Sequence, residues 1–168
     1  KMSLKQYTAQ IIKGCYLDCN NPSAEWQNIH KEVSAIKKRL NALPVKHFHL
    51  ESANMDLRIT PGDQRKWAGV SGHNIPSFEV FVSPDWRGTE GIYYANLPSF
   101  RSGNYVEDVR ITFAKGKAIK VEAKQGEDFV KKQLAMDAGA RQLGEFSLTD
   151  KRFSRIDRFM AETLFDEN

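Results

Sequence analysis

Cysteine is nearly absent: Cys15 and Cys19 are the only two in 168 residues. They lie four positions apart with no third cysteine or neighbouring histidine, so they do not complete a tetrahedral zinc set. Two thiols suit a reduced, cytoplasmic protein better than a disulfide scaffold, and packing at a helix end is their expected role. Long apolar runs are missing too. None approaches the ~20 residues needed to cross a bilayer, so neither a transmembrane helix nor a membrane partner is expected. Lys1 to Lys13 mixes polar and apolar side chains without a continuous apolar core, and no signal peptide is expected there. There is no glycine-rich phosphate loop, no Gly-x-Ser-x-Gly and no His-Glu-x-x-His.

What is present has globular proportions, with 40% apolar and 27% charged residues. A chain of this size can bury a hydrophobic core. Twenty-five basic against 21 acidic residues leave a net charge of +4. The basic runs are Lys37-Lys38-Arg39, on an expected helix, and Lys115, Lys117, Lys120 and Lys124, alternating along an expected strand. Both read as solvated faces rather than phosphate-binding surfaces, so no nucleic-acid partner is expected.

The apolar pattern changes period along the chain. Leu4, Tyr7, Ile11 and Ile12 predict an amphipathic helix over Ser3–Leu17, with Ser3 as its cap. Asn21-Pro22 then caps a second, marked by Trp26, Ile29, Val33, Ile36, Leu40 and Leu43 and stopped by Pro44. Strands are expected at 47–50, 55–59, 79–82 and 91–95. A hairpin follows, 109–113 with 118–122, turning at Lys115-Gly116-Lys117. Glu127-Asp128 start a helix that Gly139 ends. Leu143 to Leu148 is strand-like, and Ile156 to Phe165 is expected to form a last helix. The fold class is α+β: two N-terminal helices, then a mainly antiparallel β region with an inserted helix. The expected organisation is a helical segment, 1–43, leading into an α+β region, 44–168.

Two glutamates stand out. Glu79 in Ile75-Pro76-Ser77-Phe78-Glu79-Val80-Phe81-Val82 and Glu145 in Leu143-Gly144-Glu145-Phe146-Ser147-Leu148 are both flanked by apolar residues. Burying an ionised carboxylate is costly unless it is paired or bound to a metal. Taken alone, each fits the solvent face of an edge strand, and the two together also fit an acid–base pair. His47 and His49 share a strand face, but alternate histidines on a half-exposed strand are more often surface residues than ligands. His30 and His73 are scattered.

Around these residues the sequence resembles a known family. Asn74-Ile75-Pro76-Ser77-Phe78-Glu79-Val80-Phe81-Val82-Ser83-Pro84-Asp85 is similar to the Asn-hydrophobic-Pro-x-x-Glu-Val-Phe-Thr-x-Pro signature of the thermophilic metallo-aminopeptidases, the aminopeptidase T and aminopeptidase S-like family. The likeness continues in order through Asn21-Pro22-Ser23-Ala24-Glu25-Trp26, Tyr105-Val106-Glu107-Asp108, Phe113-Ala114-Lys115-Gly116-Lys117, Asp137 to Glu145 and Thr163 to Asn168. The resemblance implies a metal-dependent hydrolase that removes N-terminal residues from peptides with two divalent ions, zinc or cobalt. It implies that Glu79 and Glu145 are metal ligands, with Glu145 bridging the ions in the catalytic centre, and that the full-length form is a homodimer. In relatives the remaining Tyr, His and Asp ligands follow the segment matching Asn168, and a further domain precedes the catalytic region. The chain is therefore expected to be a truncated fragment, inactive alone and weak in metal binding. Two rival readings are a basic α+β module that binds nucleic acid and a carboxylate-pair hydrolase that needs no metal.

Overall fold

Local chemistry starts both leading helices. In the computed structural model, which describes residues 2–167, Ser3 Oγ accepts from the Gln6 amide (3.3 Å) and Gln6 Oε1 accepts from the Ser3 amide (2.9 Å). This reciprocal cap begins α1 (Leu4–Gly14). Asn21 Oδ1 accepts from the Ala24 amide (3.1 Å) and Pro22 occupies the first turn of α2 (Pro22–Ala42). Lys1 and Asn168, the outer ends of the two expected regions, lie outside the described residues.

Strands follow: β1 (Phe48–Glu51), β2 (Asp56–Pro61), β3 (Glu79–Val82), β4 (Pro84–Ala95), β5 (Ser99–Arg101), β6 (Asn104–Val106), β7 (Val109–Ala114) and β8 (Lys117–Glu122). Helix α3 (Glu127–Leu134), β9 (Phe146–Thr149) and the short α4 (Thr163–Asp166) complete the order. The fold is α+β, as expected. The chain divides into two units, passing between them after residues 43, 65, 81 and 146.

The first unit comprises residues 2–43, 66–81 and 147–167. Its core is built on α2, where Ile29 and Val33 are buried together with Phe78, Val80 and Phe153. Trp26 stacks on Phe78 at 5.3 Å between ring centroids, and Tyr16 meets both rings edge-on. Trp26 Nε1 also donates to the Cys15 carbonyl (3.0 Å). Both cysteines are free thiols, and burial raises the pKa of Cys15.

Helix α1 turns inward a face offset from its apolar row: Tyr7 and Ile11 are half-buried, but Ile12 is exposed. Leu4 is 81% exposed, whereas Gln10 and Gly14 are buried. The Gln10 amide donates to Asp157 Oδ1 (2.9 Å) and its oxygen accepts from the Asp157 amide (3.2 Å). Gly14 lies so near Ile156 that a Cβ there would come within 2.9 Å of it. A satisfied polar pair and a close approach thus outweigh apolar periodicity. The helix expected over 156–165 shrinks to α4. The Asp166 carboxylate instead takes the amides of Met160 (2.6 Å) and Glu162 (2.9 Å), and burial, the largest influence on it, raises its pKa.

The second unit, residues 44–65 and 82–146, carries a five-stranded antiparallel sheet in the order β1-β2-β4-β7-β8. Leu57, Ile59, Phe113 and Ala118 form its buried centre, with Phe48, Leu50, Leu134 and Leu143 packed against them. Lys115 and Gly116, both at positive φ, make the two-residue turn between β7 and β8. β4 begins at Pro84, seven residues before its expected start. A register shift between Arg58 and Thr60 lets the β2–β4 pairing run on to Pro61 and Pro84. The hairpin of β5 and β6, turning through Ser102-Gly103, was not expected from the sequence.

Candidate metal ligands

Glu79 opens β3. Val80 and Val82 are 4% and 2% exposed, so strand alternation puts Glu79 and Phe81 on the opposite face. β3 is supported along both edges. On one it pairs with β9. On the other, Ala68 and Phe81 exchange backbone hydrogen bonds at 2.8 and 3.0 Å. Next to that bridge Gly69, at φ +114°, brings its backbone against Glu79, where a Cβ would stand 2.0 Å from the Glu79 carbonyl oxygen. Lys37 Nζ donates to the Gly69 carbonyl (2.6 Å) and ties this stretch to α2.

The Glu79 side chain is half-buried and accepts a hydrogen bond from Ser147 Oγ at 2.7 Å. Among the described residues it has no ion pair. A carboxylate partly withdrawn from water, with a neutral donor and no counter-cation, is a good oxygen ligand for a divalent ion. Glu79 therefore fits the role that the resemblance implies.

Glu145 is exposed and lies in the second unit, in the segment immediately before β9. Its local setting is that of a loop residue entering a strand. Among the described residues, no group of three or more His, Cys, Asp or Glu side chains is placed to hold a metal ion. His49 Nε2 faces Asp56 Oδ1 at 2.8 Å, His30 Nδ1 faces the Val70 carbonyl at 3.2 Å, and His47 and His73 are exposed. Glu79 thus fits a metal as a single ligand, while a full ligand set is not assembled from these residues.

Ser147 carries no charge to mark it in the sequence. Its signal is a hydroxyl between Phe146 and Leu148 in an apolar strand, a setting in which a polar atom needs a partner. Arg155 is a second omission. It grips Asp18 with two bonds (2.8 and 2.7 Å), lies 4.8 Å from the centre of the Tyr16 ring, and its hydrogen bond is the largest cause lowering the Asp18 pKa.

The sequence matches the family model described as thermophilic metalloprotease (M29) over residues 1–168. It is 32% identical to aminopeptidase AmpS of Bacillus subtilis (strain 168) over 174 residues, covering 95% of this chain and 42% of that protein. It is 31% identical to aminopeptidase T of Thermus aquaticus over 169 residues, covering 94% of this chain and 41% of that protein. Among solved structures, wild-type AmpT from Thermus thermophilus superposes with a TM-score of 0.73 at 28% identity, covering 88% of this chain and 40% of that one. The chain thus spans about two-fifths of the length of the relatives it matches. The likeness extends well beyond the segment around Glu79 to both structural units, and by that breadth the chain belongs to the thermophilic metalloprotease (M29) family.

Proposed function

We propose that this chain is part of the catalytic region of a metal-dependent aminopeptidase, whose longer form removes N-terminal residues from peptides. The observation that carries the reading is Glu79: a half-buried carboxylate, fixed by a hydroxyl and without a counter-cation among the described residues, in the segment that resembles the family's signature. Glu79 and Glu145 would serve as two of the carboxylates that hold two divalent ions, zinc or cobalt, and Glu145 would be the one shared between them. Bound ions of this kind polarise a scissile carbonyl and make water a stronger nucleophile at neutral pH. The part played by Glu79 is to supply fixed negative charge on a rigid strand, and Ser147 holds one of its oxygens. The longer form is a cytoplasmic homodimer acting on peptides. Two carboxylates without imidazole leave most coordination positions to water, so the chain alone binds metal weakly and does not turn over substrate.

A leucine chromogenic substrate with added cobalt or zinc tests this. The 168-residue chain is expected to be inactive. A longer polypeptide containing it should be active, sensitive to chelators and disabled by E79Q or E145Q. Turnover by the short chain at the rate of the longer one would overturn the incompleteness reading. Chelator-resistant activity, or full activity in both variants, would overturn the metallo-aminopeptidase reading.

A further inference from the structure

We infer that Ser147 is a positioning residue for metal binding at Glu79; this rests on the reading of Glu79 as a ligand and extends it to a residue outside the expected set. The two side chains lie 68 positions apart in sequence, yet Ser147 Oγ stands 2.7 Å from Glu79 Oε1. That length matches a charge-assisted O–H···O⁻ bond, among the stronger hydrogen bonds a neutral donor makes. Both residues belong to the first unit and come from the paired strands β9 and β3. The supports around them are rigid: Val80 and Phe78 are buried, and the bridge between Ala68 and Phe81 holds the far edge of β3.

The bond has two consequences for a ligand. It removes the rotational freedom of the carboxylate, so a cation meets a group already oriented. It also occupies Oε1 with a donor and leaves Oε2 as the oxygen to face an ion. Hydrogen-bond partners of metal ligands typically change affinity by about 10–100-fold when removed. A hydroxyl used only to join β3 to β9 would behave differently, since its loss would weaken the strand pair and leave metal affinity unchanged.

The test uses the 168-residue chain with cobalt(II) alone. Binding is followed by calorimetry and by the ¹³C shift of the Glu79 carboxyl, and folding by thermal melts. E79Q should lose the Glu79-linked binding. S147A should weaken it by about 10-fold or more while remaining folded. S147T, which keeps the hydroxyl, should restore affinity close to that of the unmodified chain. If S147A does not fold, S147V supplies the same comparison, because valine suits a strand and has neither a donor nor a metal-binding atom; it should also bind more weakly. Unchanged affinity in S147A or S147V, with E79Q defective, would overturn the role of Ser147 and leave that of Glu79 intact. S147T binding as weakly as S147A would also overturn it. E79Q binding cobalt as well as the unmodified chain, or no response of the Glu79 carboxyl in the unmodified chain at cobalt concentrations high enough to fill a weak site, would overturn the ligand reading and the inference with it.

Discussion

Replacing Gly69 with alanine probes the backbone contact that sets β3. Gly69 sits at φ +114°, and an added Cβ would lie 2.0 Å from the Glu79 carbonyl oxygen and 3.0 Å from its carbon. Two costs follow. An L side chain at positive φ is strained by about 1–2 kcal/mol. Relieving the overlap requires Gly69 and β3 to separate by roughly 1 Å, and forced repacking of this kind costs about 1–3 kcal/mol. Gly72 supplies the control: it too has positive φ, +86°, but a Cβ there meets nothing within 4 Å. G72A should therefore show only the first cost, and G69A should exceed it by about 1–3 kcal/mol. Because the chain has two units, a single melting midpoint is a poor measure of this local effect. Hydrogen exchange at the Phe81 amide, which donates to the Ala68 carbonyl, reports directly on the contact. Equal loss of Phe81 protection in G69A and G72A would refute the reasoning, since only the first substitution pushes on Glu79.

Two other substitutions are expected to act in opposite directions. Thr89 is fully buried in β4 and, among the described residues, its hydroxyl has no hydrogen-bond partner, so T89V, which keeps the shape, should stabilise the protein by about 1 kcal/mol in urea titration; a loss of stability would contradict this. D18N should destabilise the protein near neutral pH, because hydrogen bonding from Arg155 holds the Asp18 pKa below its ordinary 3.8 and that stability is lost as pH falls through the depressed value. The stabilities of D18N and the unmodified chain should then converge in acid, and a difference that persists there would show that the bond to Arg155 acts through something other than the charge of Asp18.

The elements easiest to read from sequence are those whose signals are local. Helix α2 is one, since its cap Asn21, Pro22 and the stripe from Trp26 to Leu40 all lie at or within it; only at Leu43, 49% exposed, does the stripe outrun the core. The β7–β8 hairpin is another, because Lys115-Gly116 specify its turn without outside help. Errors arise where distant residues decide. Asp157 draws Gln10 inward and leaves Leu4 in water, and Asp166 captures amides that a longer last helix would have used. Strand β4 was expected to begin at Gly91. Its earlier start depends on pairing with Thr60 and Pro61 beyond a register shift, and nothing within β4 itself encodes that.

The same division runs through the candidate site. The chemical identity of Glu79 is local, so an apolar strand with one carboxylate marks it at once. What makes that carboxylate usable is not local. Gly69 fixes the backbone from ten positions away, Lys37 anchors Gly69 from α2, and Ser147 holds the side chain from β9. Each is an ordinary residue type that becomes informative only through its neighbour in space: a glycine without room for a Cβ, a lysine on a carbonyl, and a serine on a carboxylate. A substitution at any of them can therefore alter Glu79 while the recognisable segment around it remains intact. The Asn74–Asp85 segment is thus only part of what such a site requires. A relative that kept the segment but lost the Gly69 approach and the Ser147 hydroxyl would carry the glutamate without its rigid setting.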